Sequence, residues 1–505
     1  METRSKVVDW PDLVRQMEVW REAGQRVVHC HGVFDLLHIG HIRYLQRASE
    51  LGDILVVTIT PDEFVNKGPH RPAFGQQLRL EAVAALDCVD AVASNCWPTA
   101  RDTIQALRPA VYAKGAEFRG NKTPELRAEE AAAAEVGTQV AFIDELTSSS
   151  SQLINHYLSS FSERAEAYLS QFRSQYRASE VQKYFRESRD LRIAVVGETI
   201  IDEFYYCESV GQSTKAPIVS TRYESHQRFA GGAVAVANYL AAFSDNVHLL
   251  TMMGDQDAED QWVRERLRDN VDLKVLHKRE SPTIIKRRYR ESYFELPLFA
   301  VSFVNDDPLP DAQNAWLCDQ LSQLLPGCDA VVVADYGHGM LGRGAVDVLC
   351  RDSRFLAATT QANAGNFGRH TISKFHRTDY FSLAQRELEL ECRDPSRDHE
   401  CMLRSVIDRL KSRLGVVTFG RRGCLVMDGD GACHAAPSLA TRVVDRIGAG
   451  DAFFAISTLC AVQEAPSDIL AFLGNLAGAD SVAMVGNAER QAGDSLVRSV
   501  ESLLK

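Results

Sequence analysis

Apolar positions along this chain follow two rhythms, and the change between them divides it. Over residues 25–158, short apolar runs alternate with stretches of helical spacing. Residues 26–30 predict a buried strand and 39–51 a helix. Residues 53–60 predict a second strand and 76–86 a second helix, with further short strands at 110–113 and 139–143. Strands alternating with helices predict a parallel sheet covered on both faces. Over 159–190 the chain becomes charged, lacks Gly and Pro, and spaces its aromatics at helical intervals. That predicts a helical linker whose apolar stripe packs on one of the domains. Alternation resumes at 191–196, with strands expected at 247–252, 330–334, 415–419 and 425–427. Residues 216–223 and 283–304 are rich in β-branched and aromatic residues without intervening helices, which predicts a small antiparallel sheet acting as a lid.

Composition narrows the class. At roughly 100–200 residues per domain, 505 residues imply several domains. Hydrophobic residues make up 45% and charged residues 25%, as in ordinary globular chains. A net charge of −12 argues against a nucleic-acid or membrane-surface binder, while leaving room for small anions held by a few local cations. The polar opening has no apolar signal core, and no run approaches the ~20 apolar residues that span a bilayer. The twelve cysteines are scattered with no C-x-x-C pair. Reduced thiols and a cytoplasmic location are therefore expected, and a zinc site is not.

Candidate chemistry begins at HGVFDLLHIGHIRYL, His31 to Leu45, which follows a strand and enters a helix. His38 and His41 lie three apart and can share one face as the helix starts. Gly32 allows close backbone approach, and Gly40 leaves room for a phosphate. Helix N-termini offer free N–H groups and positive potential, and two imidazoles there can donate to phosphoryl oxygens. This segment, continued through QRASELGDILVV, resembles the cytidylyltransferase-like superfamily of HIGH-motif nucleotidyltransferases. Further along, Lys67-Gly68, Arg71-Pro72, Arg79, Lys114-Gly115 and Ser149-Ser150-Ser151 resemble that family's later segments. The resemblance implies in-line attack of an acceptor phosphate on the α-phosphorus of a nucleoside triphosphate, with pyrophosphate released. It implies that His38 and His41 hold the triphosphate, that Lys67 neutralises phosphates and that Ser149–Ser151 bind phosphate. Gly32, Phe34, Asp35, Gly40 and Lys114 would complete the nucleotide site.

A second centre is DRIGAGD, Asp445 to Asp451, ahead of an apolar helix. Gly448, Ala449 and Gly450 expose successive N–H groups as an anion nest, and Asp451 can take a proton from a hydroxyl. The region resembles the ribokinase-like PfkB carbohydrate kinases, as do GETIID ending at Asp202, the pair Gly231-Gly232, Asp335-Tyr336 with Gly339, and Thr418-Phe419-Gly420 with Gly423. The resemblance implies sugar contacts at Asp202, Gly231, Gly232 and Asp445. It implies ATP contacts at Thr418, Gly420 and Gly423, and metal-linked Glu387. The chain departs from that pattern at several places. Val234-Ala235 follows the glycine pair where Ala-Asn is usual, with Asn238 in another register. TTQAN, ending at Asn363, replaces D-P-K; LAQRE keeps only Glu387 of P-N-x-x-E; His338 stands for a lysine. GHGMLG, starting at Gly337, spells a dinucleotide fingerprint but is accounted for by the kinase segment.

The fold expected is thus α/β throughout. Residues 1–158 would form a Rossmann-like nucleotidyltransferase domain and 159–190 a helical linker. Residues 191–505 would form a ribokinase-like kinase domain with a small β-lid. Both resemblances on one chain resemble the bifunctional ADP-heptose synthases of cell-surface polysaccharide (lipopolysaccharide) synthesis, with the order reversed. They imply a nucleotide-activated sugar made with ATP and Mg²⁺, a sugar phosphate and a nucleoside triphosphate as small-molecule partners, and a homodimer. The alternative is a CTP-dependent polyol-phosphate cytidylyltransferase whose kinase-like part only binds sugar or dimerises.

Overall fold

The computed structural model describes residues 6–65, 72–116, 123–143, 161–212, 218–257, 259–293, 296–363, 365–394, 398–486 and 492–504. Lys67 and Ser149–Ser151 lie outside the described residues. The chain divides into two compact units, Met1–Ser160 and Phe161–Leu504.

In the first unit, five strands make one parallel sheet: β1 (Val27–Gly32), β2 (Ile54–Ile59), β3 (Ala91–Ser94), β4 (Val111–Gly115) and β5 (Gln139–Ile143), in the order β3-β2-β1-β4-β5. β1 sits at the centre, with Val28 opposite Leu55 on one side and Val111 on the other. Val27, Val28, His29 and Cys30 are all buried, as in a strand covered on both faces. One face packs with Leu45 and Ala48 of the helix Ile39–Ser49 and Val83 of the helix Gln76–Ala84. Another cluster joins Val27, Val56 and Ala91 to Leu13 and Met17 of the helix Trp10–Glu22. That helix and β3 were not anticipated from the pattern.

The second unit is organised by one strand. β6 (Arg192–Gln212) runs through 21 residues and serves two sheet regions. Its first half lies between β8 (Asn246–Gly254) and β12 (Ala330–Asp335), both parallel to it. The sheet continues from β12 through β13 (Leu356–Thr360), β14 (Tyr380–Ala384), β15 (Leu414–Thr418), β16 (Cys424–Asp428) and β17 (Cys433–Ala436). The second half of β6 pairs antiparallel with β7 (Val219–Gly232) and parallel with β10 (Ile284–Glu291), which carries β11 (Pro297–Phe303) at its edge. The lid is therefore mixed, not antiparallel, and grows directly out of the main sheet. Pattern alone hides this, because β6 changes from an interior strand to a lid strand without a turn.

The stretch expected as a linker belongs to the second unit. It forms two helices, Glu163–Gln175 and Ala178–Glu187, with Tyr176 in extended conformation between them. Leu169, Phe172, Val181 and Phe185 join the main core. Phe172 stacks on Phe472 at 4.4 Å and Phe185 on Phe243 at 4.1 Å. No helix among the described residues is long and apolar enough to cross a membrane.

Candidate functional site

At the C-terminal end of β1 the chain makes a tight passage into the helix Ile39–Ser49. Open parallel sheets bind ligands at such strand ends. His38 is the helix N-cap, its Nδ1 accepting the Gly40 N–H at 3.1 Å. His41 lies against His38 with ring centres 4.1 Å apart and planes inclined at 31°, and its Nδ1 lies 3.1 Å from the Leu36 carbonyl. The Nε2 of His38 is buried and has no hydrogen-bond partner among the described residues. Burial also pushes the His38 pKa down. Two imidazoles thus sit close together at a helix start.

The loop leading there is under strain. Phe34 has φ +49°, a region that bulky residues seldom occupy. A side chain at Gly32 would come within 3.0 Å of the Phe34 ring, which explains the glycine. The strain is held by Arg79, whose guanidinium is buried at 1% exposure. It donates to the carbonyls of Val33 at 2.5 Å, Phe74 at 3.0 Å and Thr60 at 3.0 Å, and pairs with Asp62 at 2.5 Å. Asp35, given to the nucleotide in the sequence reading, turns inward and accepts the N–H groups of Ala73 and Phe74 at 2.6 and 3.1 Å. Lys114 pairs with buried Glu129 at 2.9 Å, and Tyr112 also donates to Glu129 at 3.0 Å. Beneath the site, His29 and His31 both bond the Thr58 hydroxyl, at 2.8 and 2.9 Å. Burial, with Lys114 adding, lowers the His29 pKa to about 3, and burial lowers that of His31 as well.

The second unit gathers a separate set. Gly448, at φ +83°, caps the helix Ala449–Val462, whose first turn carries Asp451. Asp451 Oδ1 accepts the Tyr336 hydroxyl at 2.8 Å. Burial raises its pKa to about 6; the Tyr336 hydrogen bond opposes this, nearby Asp202 adds to it and Lys286 opposes it. Asp202 on β6 pairs with Arg288 on β10. Lys286, directly opposite Asp202 in register, lies over the Tyr336 ring at 6.0 Å. Burial lowers its pKa, opposed by Asp202. A side chain at Gly231 would strike Asp202, and one at Gly232 would strike the Glu198 carbonyl. The glycine pair therefore lets β7 close on the carboxylate strand. Asp445 is spent on the backbone, accepting from Arg446 at 2.7 Å, Ile447 at 3.3 Å and Gly486 at 3.2 Å. It shapes the loop before the nest.

Thr418 ends β15, and Gly420 and Gly423 follow at φ +58° and +93°. A side chain at Gly423 would strike the Ala436 carbonyl. Beside this turn, Arg421, Ser438, Thr441, Val443 and Phe161 line a cavity of about 360 Å³. Glu387 caps its own helix: its oxygens accept the N–H groups of Ala384 at 2.7 Å and Ala362 at 3.2 Å. Burial raises its pKa to about 7. Among the described residues, no three His, Cys, Asp or Glu side chains gather to hold a metal.

Behind Asp451 lies a buried polar frame. Glu198 accepts the N–H groups of Tyr336 and His338, both at 3.0 Å. Its pKa is raised by burial and by Asp335. Against the cost of burial, Asp335 is held well below the usual range by Lys374 and His370. The GHGMLG turn is closed against the protein: side chains at Gly337 and Gly339 would strike Asn366 and the Asp307 carbonyl. Asn238 bonds the Arg266 carbonyl and the Arg268 N–H, holding a loop. Arg79, Tyr336 and Glu198 had been noticed only within motifs, and Lys286 not at all. The basic run at 286–288 within an apolar strand was its signal.

Residues 29–156 match the cytidylyltransferase-like family, and residues 366–490 match the pfkB family of carbohydrate kinases. The chain is 43% identical over 115 residues to the bifunctional protein HldE of Methylobacillus flagellatus, covering 22% of this chain and 24% of that one. It is 40% identical over 120 residues to the protein of the same name from Magnetococcus marinus, covering 23% and 25%. The chain thus spans about a quarter of the length of the curated relatives it matches. In structure it is similar to phosphofructokinase-2 from Escherichia coli, with TM-score 0.50 and 15% identity over 60% of this chain and 97% of that one. That likeness establishes a ribokinase-like fold for the second unit.

Proposed function

We propose, for a chain that joins a cytidylyltransferase-like N-terminal domain to a C-terminal pfkB-type domain, that it makes a nucleotide-activated sugar in two reactions. The second unit phosphorylates a sugar or sugar phosphate with ATP. The first unit transfers a nucleotidyl group, from ATP, to a sugar 1-phosphate and releases pyrophosphate. A heptose is the sugar class favoured, because the matched relatives are bifunctional HldE proteins; the product would serve a cell-surface polysaccharide. The domain limits proposed are 1–158 for the transferase and 191–505 for the kinase, with the helices of 159–190 packed into the kinase core rather than bridging freely.

The observation that carries the reading is the His38–His41 pair, ring centres 4.1 Å apart, at a helix N-terminus, with His38 Nε2 buried and unpartnered among the described residues. A buried nitrogen without a partner costs about 1–3 kcal/mol, which a phosphoryl oxygen would relieve. In the proposed step the acceptor phosphate oxygen bonds the α-phosphorus while the bond to pyrophosphate breaks and its electrons leave with pyrophosphate. His38, His41 and the N–H groups of the helix start stabilise the charge that develops. Gly32 and Gly40 give the phosphates room, and Phe34, held by Arg79, shapes the loop. Asp35 acts as a brace, and Lys114, anchored on Glu129, is proposed as a further phosphate contact. Lys67 and Ser149–Ser151 are proposed as further phosphate contacts.

In the second unit, Asp451 takes the proton of the acceptor hydroxyl, whose oxygen attacks the γ-phosphorus as ADP leaves. Gly448, Ala449 and Gly450 hold the transferred phosphoryl group, and Asp202 orients the sugar. Lys286, over the Tyr336 ring and opposite Asp202, is placed to meet the incoming negative charge. ATP is placed with its phosphates at the nest and its base near Thr418, Gly420 and Gly423, beside a cavity large enough for a nucleoside. Mg²⁺ keeps several waters and substrate oxygens, so Glu387, already bonded to two N–H groups, suits contact through water. When bound, the ion neutralises phosphate charge. A homodimer through the lid is part of the proposal: every residue of edge strand β11 is exposed, Phe299 at 50%.

The test is a pyrophosphate-release screen over ATP, CTP, GTP and UTP with sugar 1-phosphates, run beside ADP release with a heptose phosphate. The proposal expects ATP to lead the first assay and Asp451→Asn to abolish the second. CTP with a polyol phosphate, and no ADP release, would establish the alternative.

A further inference from the structure

We infer that Tyr336 is a positioning residue for the Asp451 carboxylate, and that Asn363 and Asn366 hold Tyr336 in place for it. The inference rests on the reading of Asp451 as the kinase base. Tyr336 is 3% exposed, and its hydroxyl reaches Asp451 Oδ1 at 2.8 Å. Its backbone is anchored from both sides. The N–H donates to Glu198 at 3.0 Å, and the carbonyl accepts from Asn363 Nδ2 at 3.0 Å and Asn366 Nδ2 at 3.2 Å. The two asparagines also support each other: Asn363 Oδ1 accepts the N–H groups of Gly365 at 2.9 Å and Asn366 at 3.0 Å. Gly337, the residue after Tyr336, completes the fit, since any side chain there would strike Asn366 Nδ2.

Asn363 ends the segment where the chain departs from the D-P-K pattern. The residue standing there in this chain supports the base through the Tyr336 carbonyl. With Oδ1 taken by the phenol, Oδ2 remains for the acceptor hydroxyl. That hydroxyl gives its proton to Oδ2, its oxygen bonds the γ-phosphorus, and the electrons of the broken P–O bond leave on ADP. Tyr336 keeps its proton throughout. A hydrogen bond to the ionised form favours that form, so the phenol keeps a buried carboxylate available as a base.

The test uses the full chain. The infrared band of the protonated carboxyl that disappears in Asp451→Asn reports Asp451 ionisation with no acceptor present. In Tyr336→Phe, which keeps the ring, its midpoint should rise by about one pH unit, equivalent to a tenfold change in ionisation. Asn366→Ala should shift it in the same direction by less. ATP turnover with a heptose phosphate should lose about tenfold in kcat with KM for ATP within twofold, and the acid limb should move up with the midpoint. An unchanged midpoint in Tyr336→Phe would overturn the inference, whatever the turnover. Failure of the kinase reading looks different: Asp451→Asn would keep full turnover while the band still responded to Tyr336→Phe.

Discussion

Arg79 supports the first site from behind, through backbone carbonyls. Its guanidinium closes three carbonyls around the Phe34 turn, and an ammonium cannot reproduce that fork. Arg79→Lys should lower pyrophosphate release by at least ~10-fold, because small misplacements of reacting groups are costly. A wild-type rate would show the turn to be self-supporting. The buried histidines below it predict a pH effect. His29, at about 3 against an ordinary 6.5, stays neutral when folded and takes a proton when unfolded. Folded-state stability should therefore fall as pH drops from about 6.5 toward 3, by about 1.4 kcal/mol per pH unit for one such group. Hydrogen exchange of β1 at pH 7 and pH 5 reads this, and His29→Gln should flatten the slope. At this scale the sequence is legible where the chemistry is local. His38, His41 and Asp451 each stand inside a short motif at a helix start. Tyr336 and Arg79 owe their roles to partners remote in sequence, which no spacing rule brings together. Asp35, Asp445 and Glu387 were read as ligands because motifs mark them. In the structure their carboxylates also bond backbone N–H groups and brace turns.

Among the elements, β1, β2, β4, β5, β8, β12, β15 and β16 could be read to within two residues, since apolar runs leave few choices, while β3, β13, β14 and β17 could not. The lid strands begin in the stretches expected, 216–223 and 283–304, but their pairing could not be read. β6 continues from the main sheet into the lid with no break in its pattern, and its parallel partner β10 comes from far along the chain. The stretch 163–187 was legible in part: a helical segment with an apolar stripe packed on one of the domains is what its pattern predicts, and Leu169, Phe172, Val181 and Phe185 join the second core. Phe172→Ala should destabilise the second unit by about 3–5 kcal/mol in urea unfolding, the usual cost of emptying an aromatic core position. A loss under 1 kcal/mol would mean the helix is merely apposed. The edge strand β11 makes a different demand. An exposed apolar edge is a template for pairing unless something covers it. Val301→Lys should convert a light-scattering dimer to monomer. A monomeric wild-type chain would remove the proposed homodimer.

On the scale of the whole molecule, each unit carries a helix N-terminus, one flanked by imidazoles and one by a carboxylate. Under the proposed function the chemistry differs accordingly: charge stabilisation alone in the first, proton removal in the second. The raised Asp451 pKa, about 6, predicts that ADP release falls off below pH 6 as the base becomes protonated, while pyrophosphate release need not share that limb. The most direct measurement of the bifunctional reading follows ADP and pyrophosphate together in wild type, His41→Ala and Asp451→Asn, with ATP, a heptose phosphate and a heptose 1-phosphate. The prediction is that His41→Ala loses pyrophosphate release by about 100-fold or more and keeps ADP release, while Asp451→Asn does the reverse. Full pyrophosphate release by His41→Ala would contradict it.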